Sequence, residues 1–138
     1  MTVEESLARF GLVPAEEDLP QIREILAREA EAERTVGGRG REEDLALLCC
    51  VQLFSRGMAE DILRIWDAKM SGFDMGSVVD VQFLCGTGLD ATKRFLSSQR
   101  DERAVEALSY ISDCEEAGDF ANFSPEAHLQ GYREYFGA

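Results

Sequence analysis

The stretch Leu45-Ala46-Leu47-Leu48-Cys49-Cys50-Val51-Gln52-Leu53-Phe54 is apolar on more than one face of the helix that it would form. A surface helix keeps its apolar side chains on one stripe, whereas a helix that is apolar nearly all round is buried on several sides. We therefore expect this helix to lie at the centre of the fold and to end at Gly57. Its longest uninterrupted apolar run, residues 45–51, is far shorter than the ~20 residues of a membrane-spanning helix.

Downstream of this stretch, helical patterns alternate with glycines. A second helix is centred on Trp66, and a third is predicted to be capped by Asp74 and to run to Gly86. A fourth starts at Thr87, where the spacing of Thr and Asp resembles a capping box. Only residues 77–81 show even a weak strand pattern, so the sequence predicts an all-α protein of about seven or eight helices.

A short internal repeat bears on how these helices are arranged. An offset of 30 residues aligns Val51-Gln52-Leu53-Phe54 with Val81-Gln82-Phe83-Leu84, and also Arg64 with Arg94. Two helices per unit at such a period are typical of an α-solenoid, in which each helical hairpin buries its face on the next. The alternatives are therefore stacked hairpins in a short α-solenoid, or an irregular bundle in which the match is a coincidence.

The amino-terminal residues form two predicted helices. Thr2 opens a capping box and Gly11 is placed to end the first helix. Asp18 is placed to cap the second, whose apolar stripe gives way to residues 28–34, which are polar almost all round.

Three glycines among residues 37–41 predict a flexible connector. The sequence thus divides into an amino-terminal helical arm (1–36), the connector (37–41) and a helical-repeat body (42–138), with a single domain as the alternative.

The charge of the chain is strongly acidic and unevenly distributed. Lys and Arg number 14 against 27 Asp and Glu, a formal net charge of −13. Residues 1–34 carry nine acidic and four basic side chains, residues 35–56 three of each, and residues 101–138 nine acidic and two basic. This balance argues against a nucleic acid as ligand, because binding to phosphates requires Lys and Arg.

The cellular setting is predicted from composition alone. Twelve of the 14 basic residues are Arg, which suggests a GC-rich, bacterial genome. The amino terminus lacks the basic start and apolar stretch of a signal peptide, and no membrane helix is predicted, so we expect a cytoplasmic protein.

The residue types that normally carry catalysis or metals form no recognisable motif. The four cysteines include no C-x-x-C pair and lie beside apolar residues, which predicts buried structural thiols. A calcium loop starting at Asp113 fails at Ala117, which has no side-chain oxygen, and at Ser124, where a bidentate glutamate is required. His128 is the only histidine, so a Cys–His enzyme stays the weakest alternative. We predict no metal, no cofactor and no enzymatic activity.

The carboxy-terminal part combines carboxylates with aromatic rings, a pattern that suits a protein-binding face. Aromatic anchors supply affinity, and the surrounding charge steers a partner of opposite sign. The alternative is a terminal helix that packs its rings on the core and carries its acids for solubility. The predicted partner-binding residues are Asp113, Glu115, Glu116, Asp119, Phe120, Phe123, Glu126, Tyr132, Glu134 and Tyr135.

These features predict a non-catalytic protein that binds a basic protein partner. Its concrete form would be an inhibitor or immunity protein that neutralises a basic toxin such as a nuclease, whose positive cleft an acidic surface can fill. The alternative is a scaffold or regulatory helical-repeat module that binds a peptide or helix through Gln52, Trp66, Phe73 and Gln82.

Overall fold

The computed structural model describes residues 1–36 and 40–138, and the regular structure within them is helical. The described residues form eight α-helices, and three 3₁₀ turns (Glu16–Asp18, Ala59–Asp61 and Val81–Cys85) precede α2, α4 and α6. The all-α prediction is therefore confirmed, and residues 77–81 form no strand. The helices are α1 (Val3–Phe10), α2 (Leu19–Val36), α3 (Leu45–Arg56), α4 (Ile62–Lys69), α5 (Phe73–Val78), α6 (Leu89–Ser98), α7 (Glu102–Glu116) and α8 (Pro125–Phe136).

Helix α3 is the centre of the fold, as its apolar circumference predicts. Every residue from Leu45 to Phe54 is buried, and Gly57 ends the helix in a left-handed conformation. Helices α2 and α8 and the 3₁₀ turn at Val81–Cys85 pack around it. One continuous hydrophobic cluster joins these elements to α4, α6 and α7.

The amino-terminal helices pack on α3. Thr2 caps α1 by accepting from the amide of Glu5, and Gly11 ends it, both as predicted. The buried Gln52 donates to Ser6 Oγ (3.1 Å) and to the carbonyl of Gly11 (2.9 Å), which fixes α1 against α3. The division at residue 37 stays a prediction, and residues 37–39 of the proposed connector lie outside the described residues.

The end of α2 is not solvated all round, which corrects the sequence interpretation. Glu29, Ala30 and Glu33 are buried. The two carboxylates tolerate burial because each accepts hydrogen bonds from elsewhere in the chain: Glu29 from the amide of Glu42, and Glu33 from Arg41 and a residue of α5.

Only the second helix of each repeat unit has a structural counterpart in the other unit. Helices α4 and α6 occupy corresponding positions, but Val51–Phe54 is α-helical whereas Val81–Cys85 is a 3₁₀ turn. The third helix, predicted from Asp74 to Gly86, is broken because the backbone leaves the helix at Val79, where Lys69 Nζ donates to the carbonyl oxygen.

The predicted caps in this region shift by one or two residues, since Gly72 and Gly88, not Asp74 and Thr87, precede α5 and α6. Helix α7 packs on α4 and α6, whereas α8 returns to α3, so the helices form an irregular bundle. None of the helices in the described ranges is long and apolar enough to cross a membrane.

Candidate functional site

The carboxylates predicted at the carboxy-terminal end are exposed and are distributed over the end of α7, the α7–α8 connection and α8. Glu126 lies in the first turn of α8, and Glu134 lies eight residues further on, about 12 Å along the helix. Of the acids at the end of α7, Glu115 already forms an ion pair with Lys93 (2.7 Å). The remaining predicted carboxylates, Asp113, Glu116 and Asp119, are exposed around the α7–α8 connection.

The predicted aromatic anchors are mostly used inside the protein. Phe120 is buried and stacks edge-on against the half-buried Phe123, so its ring is not offered to a partner. Tyr132 is also half-buried and donates its hydroxyl hydrogen bond to Asp80 (2.6 Å). Tyr135 is the exception, because 59% of its surface is exposed.

His128 lies within the same aromatic cluster. Its ring centroid is 4.8 Å from that of Phe83, 5.1 Å from that of Phe54 and 5.2 Å from that of Tyr132. Burial lowers the pKa of His128, which favours the neutral imidazole at neutral pH. These contacts hold α8 on α3 and make His128 part of the packing.

The peptide-binding alternative loses two of its four residues. Gln52 and Trp66 are buried, and Gln82 donates to the carbonyl of Asp119. Phe73 is the one that fits, because its ring on α5 is 88% exposed.

A groove of about 540 Å³ opens where the start of α1, the residues before α3 and the end of α8 meet. We call it the carboxylate groove, because each charged side chain in its lining is an Asp or Glu. None of these four carboxylates forms an ion pair with another described residue. The lining consists of Thr2, Val3, Glu4, Leu7, Glu42, Glu43, Asp44, Tyr135 and Phe136.

The acidic segment 42–44 is held in place by hydrogen bonds from both sides. The amide of Glu42 donates to the buried carboxylate of Glu29 (3.1 Å), whose pKa burial raises. Asp44 adopts a left-handed backbone (φ 61°), and its side chain does not cap α3. That carboxylate accepts instead from the hydroxyl of Tyr135 (2.6 Å), and this bond raises the pKa of the phenol.

A second groove, of about 420 Å³, lies on the α5 side of the same acidic segment. Arg41 is the one cation among the described residues of its lining, and its Nε donates to the buried carboxylate of Glu33 (3.2 Å). Residues 42–44 thus form a ridge between two grooves. The α5 groove is lined by Arg41, Glu42, Glu43, Asp44, Leu47, Asp74, Ser77 and Val78.

Elsewhere among the described residues, several cations form internal ion pairs. Arg23 makes two bonds to the buried Asp61 (2.7 and 3.0 Å) and one to Glu60 (2.9 Å), and Arg64 also reaches Asp61. Arg103 pairs with Asp67. None of the ion pairs among the described residues involves a carboxylate that lines either groove.

Sequence reasoning missed Glu4 and residues 42–44 as parts of a site. Charge counted in windows shows residues 35–56 as neutral, because the arginines there balance the acids. The structure separates them, since Arg41 is drawn toward Glu33 while Glu42 and Glu43 remain exposed. The available signal was the run of three acids directly before the central helix.

No metal-binding arrangement stands out among the described residues. They contain no group of three or more His, Cys, Asp and Glu side chains that could hold a metal ion. Cys49, Cys50 and Cys85 are buried, and burial raises the pKa of Cys49 and of Cys85 to about 12, which keeps these thiols protonated.

Comparisons with protein-family models, with curated proteins and with solved structures found no match to this chain. The carboxylate groove and its surroundings therefore carry the functional inference.

Proposed function

We propose that this protein is a non-catalytic binding protein whose carboxylate groove docks onto a cationic protein. The observation that carries the proposal is the lining of that groove, where Glu4, Glu42, Glu43 and Asp44 have no ion-pair partner among the described residues. Tyr135 and Phe136 lie beside them and supply apolar surface. Carboxylates around aromatic side chains suit a partner with Lys and Arg at its contact surface.

The more specific form of this proposal is an inhibitor or immunity protein that neutralises a basic toxin, such as a nuclease. A nuclease binds phosphates through a positive cleft. A ridge of three successive carboxylates at residues 42–44 can fill such a cleft by placing negative charge where phosphates would lie. A scaffold that binds a basic peptide is the second candidate, and the exposed ring of Phe73 favours it.

The test compares two variants that remove the same charge from different places. Glu42→Gln, Glu43→Gln and Asp44→Asn neutralise the groove, whereas Asp113→Asn, Glu115→Gln and Glu116→Gln neutralise the end of α7. Asn also tolerates the left-handed backbone of residue 44. Affinity for a purified basic ribonuclease, and inhibition of its RNA cleavage, are measured by calorimetry and by an activity assay from ~0.05 to ~0.5 M salt.

We expect the groove variant to bind at least about tenfold more weakly than the α7 variant, and the wild-type affinity to fall as salt rises. Equal losses in the two variants would show that net charge alone drives binding, and would overturn the role of the groove. An affinity that does not change with salt would remove the electrostatic basis. If the protein binds the ribonuclease without reducing its RNA cleavage, the inhibitor proposal is contradicted and the scaffold becomes the preferred candidate.

A further inference from the structure

The acidic ridge at residues 42–44 lies between two apolar walls. On the side of the carboxylate groove, Val3, Leu7 and Phe136 line the wall. On the other side, Leu47 and Val78 line the α5 groove. An occupant that lies across the ridge therefore meets apolar surface, then carboxylates, then apolar surface again.

Helix α5 extends the second wall with an exposed aromatic ring. Ser77 lines the α5 groove and donates to the carbonyl of Phe73, one turn earlier. Phe73 therefore lies one turn before a residue of the groove lining, next to the groove but outside that lining. Phe73 is 88% exposed and Val78 37% exposed, so both offer apolar surface to an occupant on this side of the ridge.

The negative charge of the ridge indicates which side chains lie at the middle of the occupant. Glu42 and Glu43 are exposed on the ridge, and Asp44 and Asp74 flank them. A wholly apolar segment would bury these carboxylates without partners, which is costly. A nucleic acid would be repelled by them.

We infer that the two grooves together bind one segment of a partner protein in which adjacent Lys or Arg side chains are flanked on both sides by apolar side chains. The central cations lie on the ridge at residues 42–44. One flanking apolar side chain packs on the wall near Leu7 and Phe136, and the other on α5 at Val78 and Phe73. This inference rests on the proposed function and specifies the partner's chemistry.

The test uses two synthetic peptides of identical composition as probes. The first has a central run of Arg and Lys between Leu and Phe, and the second has both apolar residues together at one end. Affinity for the full-length protein is measured by fluorescence anisotropy of the labelled peptide. The variants are Phe73→Ser and, as a matched control, Val105→Ser, which removes an exposed apolar side chain (66% exposed) on α7.

We expect the flanked peptide to bind about tenfold more tightly than its rearranged form, and Phe73→Ser to lose most of this difference. Val105→Ser should keep it. Equal binding of the two peptides, or equal behaviour of the two variants, would overturn the inference. The variant with residues 42–44 neutralised distinguishes failure of this inference from failure of the proposed function. If that variant weakens binding while Phe73→Ser does not, the acidic docking surface is supported and the flanking apolar contacts are refuted.

Discussion

Glu33 holds together the two sides of the α5 groove, and its replacement gives the sharpest test of the structure. Its side chain is 2% exposed. One carboxylate oxygen accepts from Nε of Arg41 (3.2 Å), and the other accepts from the amide of Met75 (2.9 Å) in the first turns of α5. The carboxylate also lies so close to Gly72 that an added Cβ there would be 2.6 Å from Oε2.

We expect Glu33→Ala to lower the free energy of unfolding by about 4 kcal/mol. Breaking a buried ion pair by removing one partner costs about 3–5 kcal/mol, since a buried charge is left uncompensated. An unsatisfied amide adds about 1–3 kcal/mol. The lower ends of both ranges apply, because the Arg41 side chain is 14% exposed and can be rehydrated. Urea unfolding followed by circular dichroism measures the change.

Glu31→Ala is the matched control on the same helix. Glu31 pairs with Arg34 (2.9 Å), but its side chain is 63% exposed, so its removal should change stability by at most about 0.5 kcal/mol. Gly72→Ala should destabilise by about 1–3 kcal/mol, because the new methyl group displaces the same carboxylate. If Glu33→Ala and Glu31→Ala cost the same, the buried bridge described here does not exist.

Three further predictions follow from other buried groups. The free energy of unfolding should decrease as the pH falls below about 6.5, because His128 binds a proton more readily in the unfolded chain than in its buried position. Urea midpoints measured between pH ~7 and ~5.5 should therefore change less with pH in His128→Phe than in the wild type. In the folded protein a thiol reagent should modify the half-buried Cys114 first, and the three core cysteines only upon unfolding; a Cys114→Ser variant that keeps the fast phase would contradict this. Asp61→Ala should cost about 3 kcal/mol in urea unfolding, because it leaves Arg23 without its buried partner, and a loss below about 0.5 kcal/mol would refute that pairing.

Local sequence signals predicted the elements that depend on local chemistry. The apolar circumference of residues 45–54 indicates a buried helix whatever surrounds it. Thr2 and Gly11 bound α1 as expected, and Ser124 with Pro125 opens α8. Such signals act within a few residues, so no tertiary contact is needed to interpret them.

Features that depend on distant partners could not be obtained in this way. Residues 28–34 look like a solvated helix face, because nothing local shows that the amide of Met75, 42 residues beyond Glu33, needs that carboxylate. The carboxylate groove likewise joins residues 2–7, 42–44 and 135–136. Charge counted along the chain predicted that its two ends are acidic. It could not predict that residues near the two ends lie together beside the acidic segment 42–44.

The position of α8 on α3 has a consequence for synthesis of the protein. The central helix is made early, yet one of its apolar faces waits for residues 125–136 to leave the ribosome before it is covered. Until then the nascent chain exposes a surface of Leu, Cys, Val and Phe that other hydrophobic chains can bind. Burial of that face of α3 therefore requires residues 125–136 in addition to the helices that precede them.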